Sequence, residues 1–122
     1  MKQHILFVDD EEPVRRMLSQ FFRKKGYEIT IAGTGPEAME MADQGQFDLA
    51  IVDINLAGES GLQLLGCFKS NFPKLPVIMF TGMTGDEALL DQALARGASG
   101  FMHKTQSLDD LFAAVQCYVP KP

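Results

Sequence analysis

Asp9-Asp10, Asp53, Thr81 and Lys104 are residues whose types could do chemistry together, and each follows a short apolar run. Ile5-Leu6-Phe7-Val8 leads into the acidic pair and Leu49-Ala50-Ile51-Val52 into Asp53. Val77-Ile78-Met79-Phe80 leads into Thr81, and Phe101-Met102-His103 into Lys104. If the four runs are parallel strands, three carboxylates, a hydroxyl and an ammonium converge on one sheet edge. Clustered carboxylates raise one another's pKa unless a cation neutralises them. With only oxygen donors at hand, a hard cation is indicated. Mg²⁺ suits best, since it takes one or two carboxylates and completes its octahedron with water and phosphate oxygens. An exposed carboxylate beside that metal, faced by a hydroxyl and an ammonium, has the parts that phosphoryl transfer needs. Asp53 would be the nucleophile and form an acyl phosphate, with the metal and Lys104 balancing charge on the equatorial oxygens.

The elements that must position these groups can be read in order. Short continuous apolar runs are the mark of strands buried on both faces of a parallel sheet. Glu28-Ile29-Thr30-Ile31-Ala32 instead alternates polar and apolar, as a half-exposed edge strand does. Between the strands, Glu11-Glu12-Pro13 opens a helix with an apolar stripe of Val14, Met17, Leu18, Phe21 and Phe22, stopped at Gly26. Thr34 with Glu37 and Thr84 with Glu87 have capping-box spacing. Leu62, Leu65 and Phe68 give a third helix its apolar face after a Gly58–Gly61 loop. The fourth carries Ala88, Leu89 and Ala93 and stops at Gly97. Ser107 with Asp110 caps a fifth that turns Leu108, Leu111, Phe112 and Val115 inward.

Five strands alternating with five helices predict an α/β fold, a doubly wound, flavodoxin-like (βα)5 with a five-stranded parallel sheet. An edge-like second strand fits the order 2-1-3-4-5. The switch point then falls between strands one and three, at Asp9, Asp10 and Asp53.

A chain of 122 residues makes one domain, here taken as residues 1–119 with 120–122 as a tail or the start of a linker. A net charge of −5 argues against nucleic acid or an anionic membrane as partner, and no apolar run has transmembrane length. The N-terminus lacks signal-peptide features, so a cytoplasmic protein is expected. Cys67 and Cys117 sit among apolar helical residues without a CxxC or a metal-ligand spacing to His4 or His103. Two buried, reduced thiols are expected, with the histidines structural and the methionines core filling.

Taken singly, every group has an ordinary explanation. The acidic pair could favour a helix N-terminus, Asp53 could shape a loop, Thr81 could cap, Lys104 could be a solvated lysine and Phe101 could be core. Four strand ends presenting matching groups weigh against all of these together.

Asp9-Asp10, Asp53 followed by Gly61, Thr81, and Gly97-Ala98-Ser99-Gly100-Phe101 with Lys104 together resemble the receiver domain of two-component response regulators, over essentially the whole chain. The resemblance implies that Asp53 accepts a phosphoryl group from a histidine kinase or phosphotransfer protein. It implies Asp10, Asp53 and the Asn55 backbone carbonyl as Mg²⁺ ligands, with Asp9 supporting through water. Thr81 and Lys104 would bind the phosphoryl oxygens. Phe101 would move inward as Thr81 swings, switching the face of the fourth helix, fifth strand and fifth helix toward a target, a fused output domain or a second copy. The protein would be a phosphoacceptor regulator rather than a turnover enzyme.

Two positions depart from the family: Ala57 and Thr105 stand where proline is frequent. Asn55 and Met83 would flank the path of attacking water. The apolar Met83 cannot orient that water, so a fairly long-lived acyl phosphate is expected.

Three alternatives stand beside this reading. A Mg²⁺-dependent aspartyl phosphatase would want a second aspartate where Asn55 lies. A flavin carrier of the same topology would want a Ser/Thr/Gly phosphate loop where Asp9-Asp10-Glu11-Glu12 lies. A degenerate receiver serving only as a docking module would lack a key residue.

Overall fold

The computed structural model describes residues 3–56, 59–82, 87–104 and 106–119, without the side chains of Asn55, Glu59, Glu87 and Leu89. Five strands build one parallel sheet: β1 (His4–Val8), β2 (Glu28–Ala32), β3 (Leu49–Asp53), β4 (Val77–Thr81) and β5 (Gly100–His103). Their order is β2-β1-β3-β4-β5, with every pairing parallel. The register pairs Val8 with Val52, Asp53 with Phe80 and Thr81 with His103, so the strands' carboxyl ends form one edge. The helices between them are α1 (Glu12–Lys24), α2 (Gly35–Gln44), α3 (Gly61–Asn71), α4 (Glu87–Ala95) and α5 (Leu108–Gln116).

Alternation along the strands divides the core in two. Ile5, Phe7, Ile51, Ile78 and Phe80 pack with Leu18 and Phe22 of α1 and with Leu111 and Val115 of α5. Leu6, Val8, Val52, Val77 and Met79 pack on the other face with Ala38 of α2, Leu65 and Phe68 of α3 and Ala93 of α4. A strand buried on both faces must be apolar at consecutive positions, which is why β1, β3 and β4 read as unbroken runs. β2 pairs only with β1 and keeps Glu28 exposed, as its alternation requires.

The helix ends follow their local chemistry. Thr34 Oγ1 accepts from Glu37 N–H at 3.2 Å, while Glu37 Oε1 reaches back to Gly33 N–H at 2.6 Å, so two helix-start donors are satisfied. Ser107 Oγ accepts from Asp110 N–H at 3.1 Å. Gly26 and Gly97, at φ 94° and 101°, take the left-handed conformation that ends α1 and α4. Thr84 lies outside the described residues.

Three expectations fail here. Cys67 and Cys117 are exposed, not buried. Cys67 shares the outer face of α3 with Gln63 and Ser70, and Cys117 sits in the turn that closes α5, its thiol directed at Ala113 O at 3.6 Å. Apolar neighbours in sequence do not fix which side of a helix a residue takes. Met17 is 46% exposed because the sheet covers a stripe narrower than the apolar one, with Leu18 and Phe22 buried and Val14 and Phe21 half-buried. Glu59-Ser60 is no plain loop: it pairs antiparallel with Asn55-Leu56 in a two-residue ladder just past β3.

Candidate functional site

β1 delivers Asp9 and Asp10, β3 ends on Asp53, β4 ends on Thr81, and Lys104 follows β5. Asp9, Asp53 and Thr81 are buried, while Asp10 is exposed. Asp53, expected as an exposed carboxylate, is only 3% exposed, because α3 starts directly over the end of β3. Gly61 makes that start possible. A Cβ on it would land on the Asp53 carbonyl oxygen and 2.7 Å from Ile54 Cα, and its N–H donates to Ile54 O at 2.7 Å. Ser60 caps the helix through Leu62 N–H at 3.2 Å. The start of α3 is thereby tied to the end of β3.

Lys104 is the hub. Its Nζ lies 2.7 Å from Asp9 Oδ2, 3.0 Å from Glu11 Oε1 and 3.1 Å from Asp53 Oδ2. Its backbone N–H donates to Thr81 O at 2.6 Å, which sets the stem relative to β4. Burial alone would lower the Lys104 pKa. Its close contacts with the carboxylates of Asp9, Glu11 and Asp53 outweigh that and push it well above the ordinary 10.5, so the ammonium stays charged.

Asp9 has the opposite balance. Burial raises its carboxyl above the usual 3.8, against the downward pull of Lys104 and of the Glu11 N–H, which donates to Asp9 Oδ1 at 2.9 Å. Asp9 Oδ2 touches the Lys104 ammonium without hydrogen-bond alignment and is a buried oxygen with no hydrogen-bond partner. Its backbone carbonyl accepts from Arg15 Nη1 at 2.6 Å, so β1 and α1 are tied together beside the site.

The donor set fits a hard cation. Asp9, Asp10, Glu11 and Asp53 each offer a carboxylate oxygen, and these oxygens lie within 4.8 Å of one another. An all-oxygen cluster in which one ammonium faces several carboxylates, and a buried Asp9 oxygen has an ion-pair contact but no aligned hydrogen bond, is an arrangement that a small divalent ion such as Mg²⁺ would complete. Asn55, whose backbone carbonyl the resemblance assigns to the ion, opens the two-residue ladder two residues beyond Asp53.

All five groups expected at the edge are therefore brought there. Phe101 is half-buried, packed on the α2–α3–α4 side with its ring centroid 5.5 Å from that of His103. Met83, Ala57 and Thr105 lie outside the described residues. Sequence reasoning missed Glu11, which it spent on the start of α1. The available signal was charge: a third consecutive acid beyond a buried strand end exceeds what a helix N-terminus needs.

The model of the response regulator receiver domain matches residues 5–116. The chain belongs to this family. The receiver is 32% identical over 117 residues to the uncharacterized transcriptional regulatory protein YkoG of Bacillus subtilis, covering 94% of this chain and 50% of YkoG. It therefore spans half the length of that relative. Sporulation initiation phosphotransferase F of the same organism is 28% identical over 120 residues, with 98% and 96% covered. Among solved structures, the response regulator TrrA of Thermotoga maritima, in complex with Mg²⁺ and BeF, matches with a TM-score of 0.87 at 30% identity, covering 96% of this chain and 99% of that one. The functional class is thus the phosphorelay, in which receivers of response regulators work with histidine kinases. Among the described residues no helix is long and apolar enough to cross a membrane.

Proposed function

We propose that Asp53 accepts a phosphoryl group from a histidine kinase or phosphotransfer protein, and that the modified receiver then changes its affinity for a downstream target or output domain. The observation that carries this is the single ammonium of Lys104 held 3.1 Å from Asp53 Oδ2 inside a four-carboxylate cluster. An Asp53 oxygen forms a bond to phosphorus as the P–N bond of the donor phosphohistidine breaks, and the electron pair leaves on the imidazole nitrogen. Lys104 follows the new charge, trading carboxylate contacts for phosphoryl oxygens. Asp9, Asp10, Asp53 and the Asn55 carbonyl would hold Mg²⁺, which supplies charge neutralisation on the transferring group. Hydrolysis of the acyl phosphate returns the carboxylate, so the protein acts as a phosphoacceptor and not as an enzyme with a metabolic product.

Thr81 gives the signal its route. It is buried, ends β4 and lies in register with His103 on β5. Drawing its hydroxyl toward a phosphoryl oxygen vacates space, and the half-buried Phe101 follows inward. The α4–β5–α5 face then repacks, and its exposed Leu94 and Tyr118 are the apolar groups a partner or a second copy would meet. A differential stabilisation of a few kcal/mol suffices to shift the two populations.

The test is intact mass after incubation with a small-molecule phosphodonor, with and without Mg²⁺, beside Asp53→Asn. A Mg²⁺-dependent adduct of one phosphoryl group that vanishes in the variant is expected. The decay of that adduct reads the expected long lifetime. No adduct under any condition would overturn the reading and leave the docking module in its place.

A further inference from the structure

Lys104 and a divalent cation want the same oxygens. The ammonium sits on Asp9 Oδ2 and on Asp53 Oδ2, two of the buried acceptors in the cluster, and a third contact pulls it elsewhere. That contact is Glu11 Oε1 at 3.0 Å, on a side chain 60% exposed, whereas the Asp9 and Asp53 side chains are 0% and 4% exposed. Glu11 holds the N-cap position of α1, yet its side chain caps no backbone N–H and reaches instead to Lys104. Its own N–H is fixed by Asp9 Oδ1 at 2.9 Å, so the carboxylate is launched from a pinned backbone at the mouth of the site.

We propose that Glu11 is a positioning residue that draws the Lys104 ammonium toward the mouth of the site, keeping Asp9 and Asp53 oxygens open to the divalent cation. The idea rests on the phosphoacceptor reading only in its choice of Mg²⁺ as the ion. Without Glu11 the ammonium would settle fully on Asp9 and Asp53, where it competes best. Asp9 Oδ2, fully buried and the oxygen nearest the ammonium at 2.7 Å, is the acceptor for which Lys104 and the ion compete most directly. Glu11 would therefore act through Lys104, beyond any general attraction that a carboxylate exerts on a cation.

That distinction is measurable by calorimetric Mg²⁺ titration of the wild type, Glu11→Gln, Lys104→Gln and the double variant. Loss of Glu11 is expected to weaken Mg²⁺ binding by roughly threefold to fivefold, the scale of a half-exposed ion pair, and by clearly less once Lys104 is already gone. Glu11→Asp keeps the charge but shortens the reach, and is expected to bind Mg²⁺ as weakly as Glu11→Gln. Equal losses in both backgrounds, or wild-type affinity in Glu11→Asp, would overturn the proposal. So would a wild type that binds no Mg²⁺ at all. If Lys104→Gln fails to fold, by circular dichroism, the Glu11→Asp comparison decides alone. Intact-mass phosphorylation of the same wild-type protein separates the two claims. An adduct with equal losses sinks this proposal and spares the phosphoacceptor reading, while unequal losses without an adduct do the reverse.

Discussion

The two ends of the parallel strands treat their polar groups in opposite ways. At the amino ends, His4 N–H donates to Asp48 Oδ2 at 2.8 Å, and His4 Nε2 lies 2.7 Å from Thr30 Oγ1, with the ring tilted against Phe47 at 4.3 Å between centroids. Tyr27, 1% exposed, donates its hydroxyl to Val119 O at 2.7 Å. Each of these groups has a nearby partner of matching kind. At the carboxyl ends, three carboxylates share one lysine, a fourth stands beside them, and a buried Asp9 oxygen has no hydrogen bond. One edge closes its own chemistry; the other needs something brought to it. An edge left electrostatically incomplete inside an otherwise consistent fold is where a ligand belongs.

The strongest blow to this contrast falls where the incomplete edge is held by backbone alone. Gly61→Ala would drive a Cβ into the Asp53 carbonyl and Ile54 Cα, neither of which is a side chain able to turn away. Destabilisation of about 3 kcal/mol, the upper end of overpacking costs, is expected in chemical denaturation, together with a slower phosphoryl adduct. A variant as stable as the wild type would mean that the loop after β3 yields freely, and that the site is not preorganised.

Much of this edge could be read from residue order because strand ends are local features. A buried strand is a run of apolar residues, and the first polar residue after it must lie at the sheet edge, so Asp9, Asp53, Thr81 and Lys104 announce their places. Partners across the edge are not local. Lys104 meets Glu11 from 93 residues away, and nothing in the spacing of either says which of the neighbouring acids an ammonium will choose. Helix faces failed for a similar reason. The cysteines and Met17 have apolar neighbours, but the rotation of α1, α3 and α5 on the sheet is set by the packing of Leu18, Phe22, Leu65 and Val115. The ladder at Asn55–Ser60 has too few residues to carry a periodicity.

The closed edge should behave as pure structure. Tyr27→Phe removes the hydroxyl from the buried Val119 carbonyl and leaves that oxygen without this donor, at a cost of about 1–2 kcal/mol in denaturant melts. The rate and Mg²⁺ dependence of the phosphoryl adduct should not move. A changed adduct rate would show that the two edges are coupled through α5, and the contrast between them would have to be abandoned.

The smallest effect tests the open edge at its most exposed point of principle, Asp9. Because burial raises its pKa in the folded chain above the unfolded value near 3.8, the folded state binds this proton more tightly than the unfolded state does. Stability is then favoured below 3.8 and declines as pH climbs through the raised value, leaving a constant cost at neutral pH. Asp9→Asn removes that charge, while Lys104 keeps Glu11 and Asp53 as partners. In metal-free buffer at neutral pH the variant should melt slightly above the wild type, with the two converging in acid. Added Mg²⁺ should reverse the order, since the wild type gains from binding and the variant has lost an oxygen that binds. If the metal-free variant instead melts lower, Lys104 already repays the burial of Asp9. The carboxyl edge would then be as self-sufficient as the amino edge.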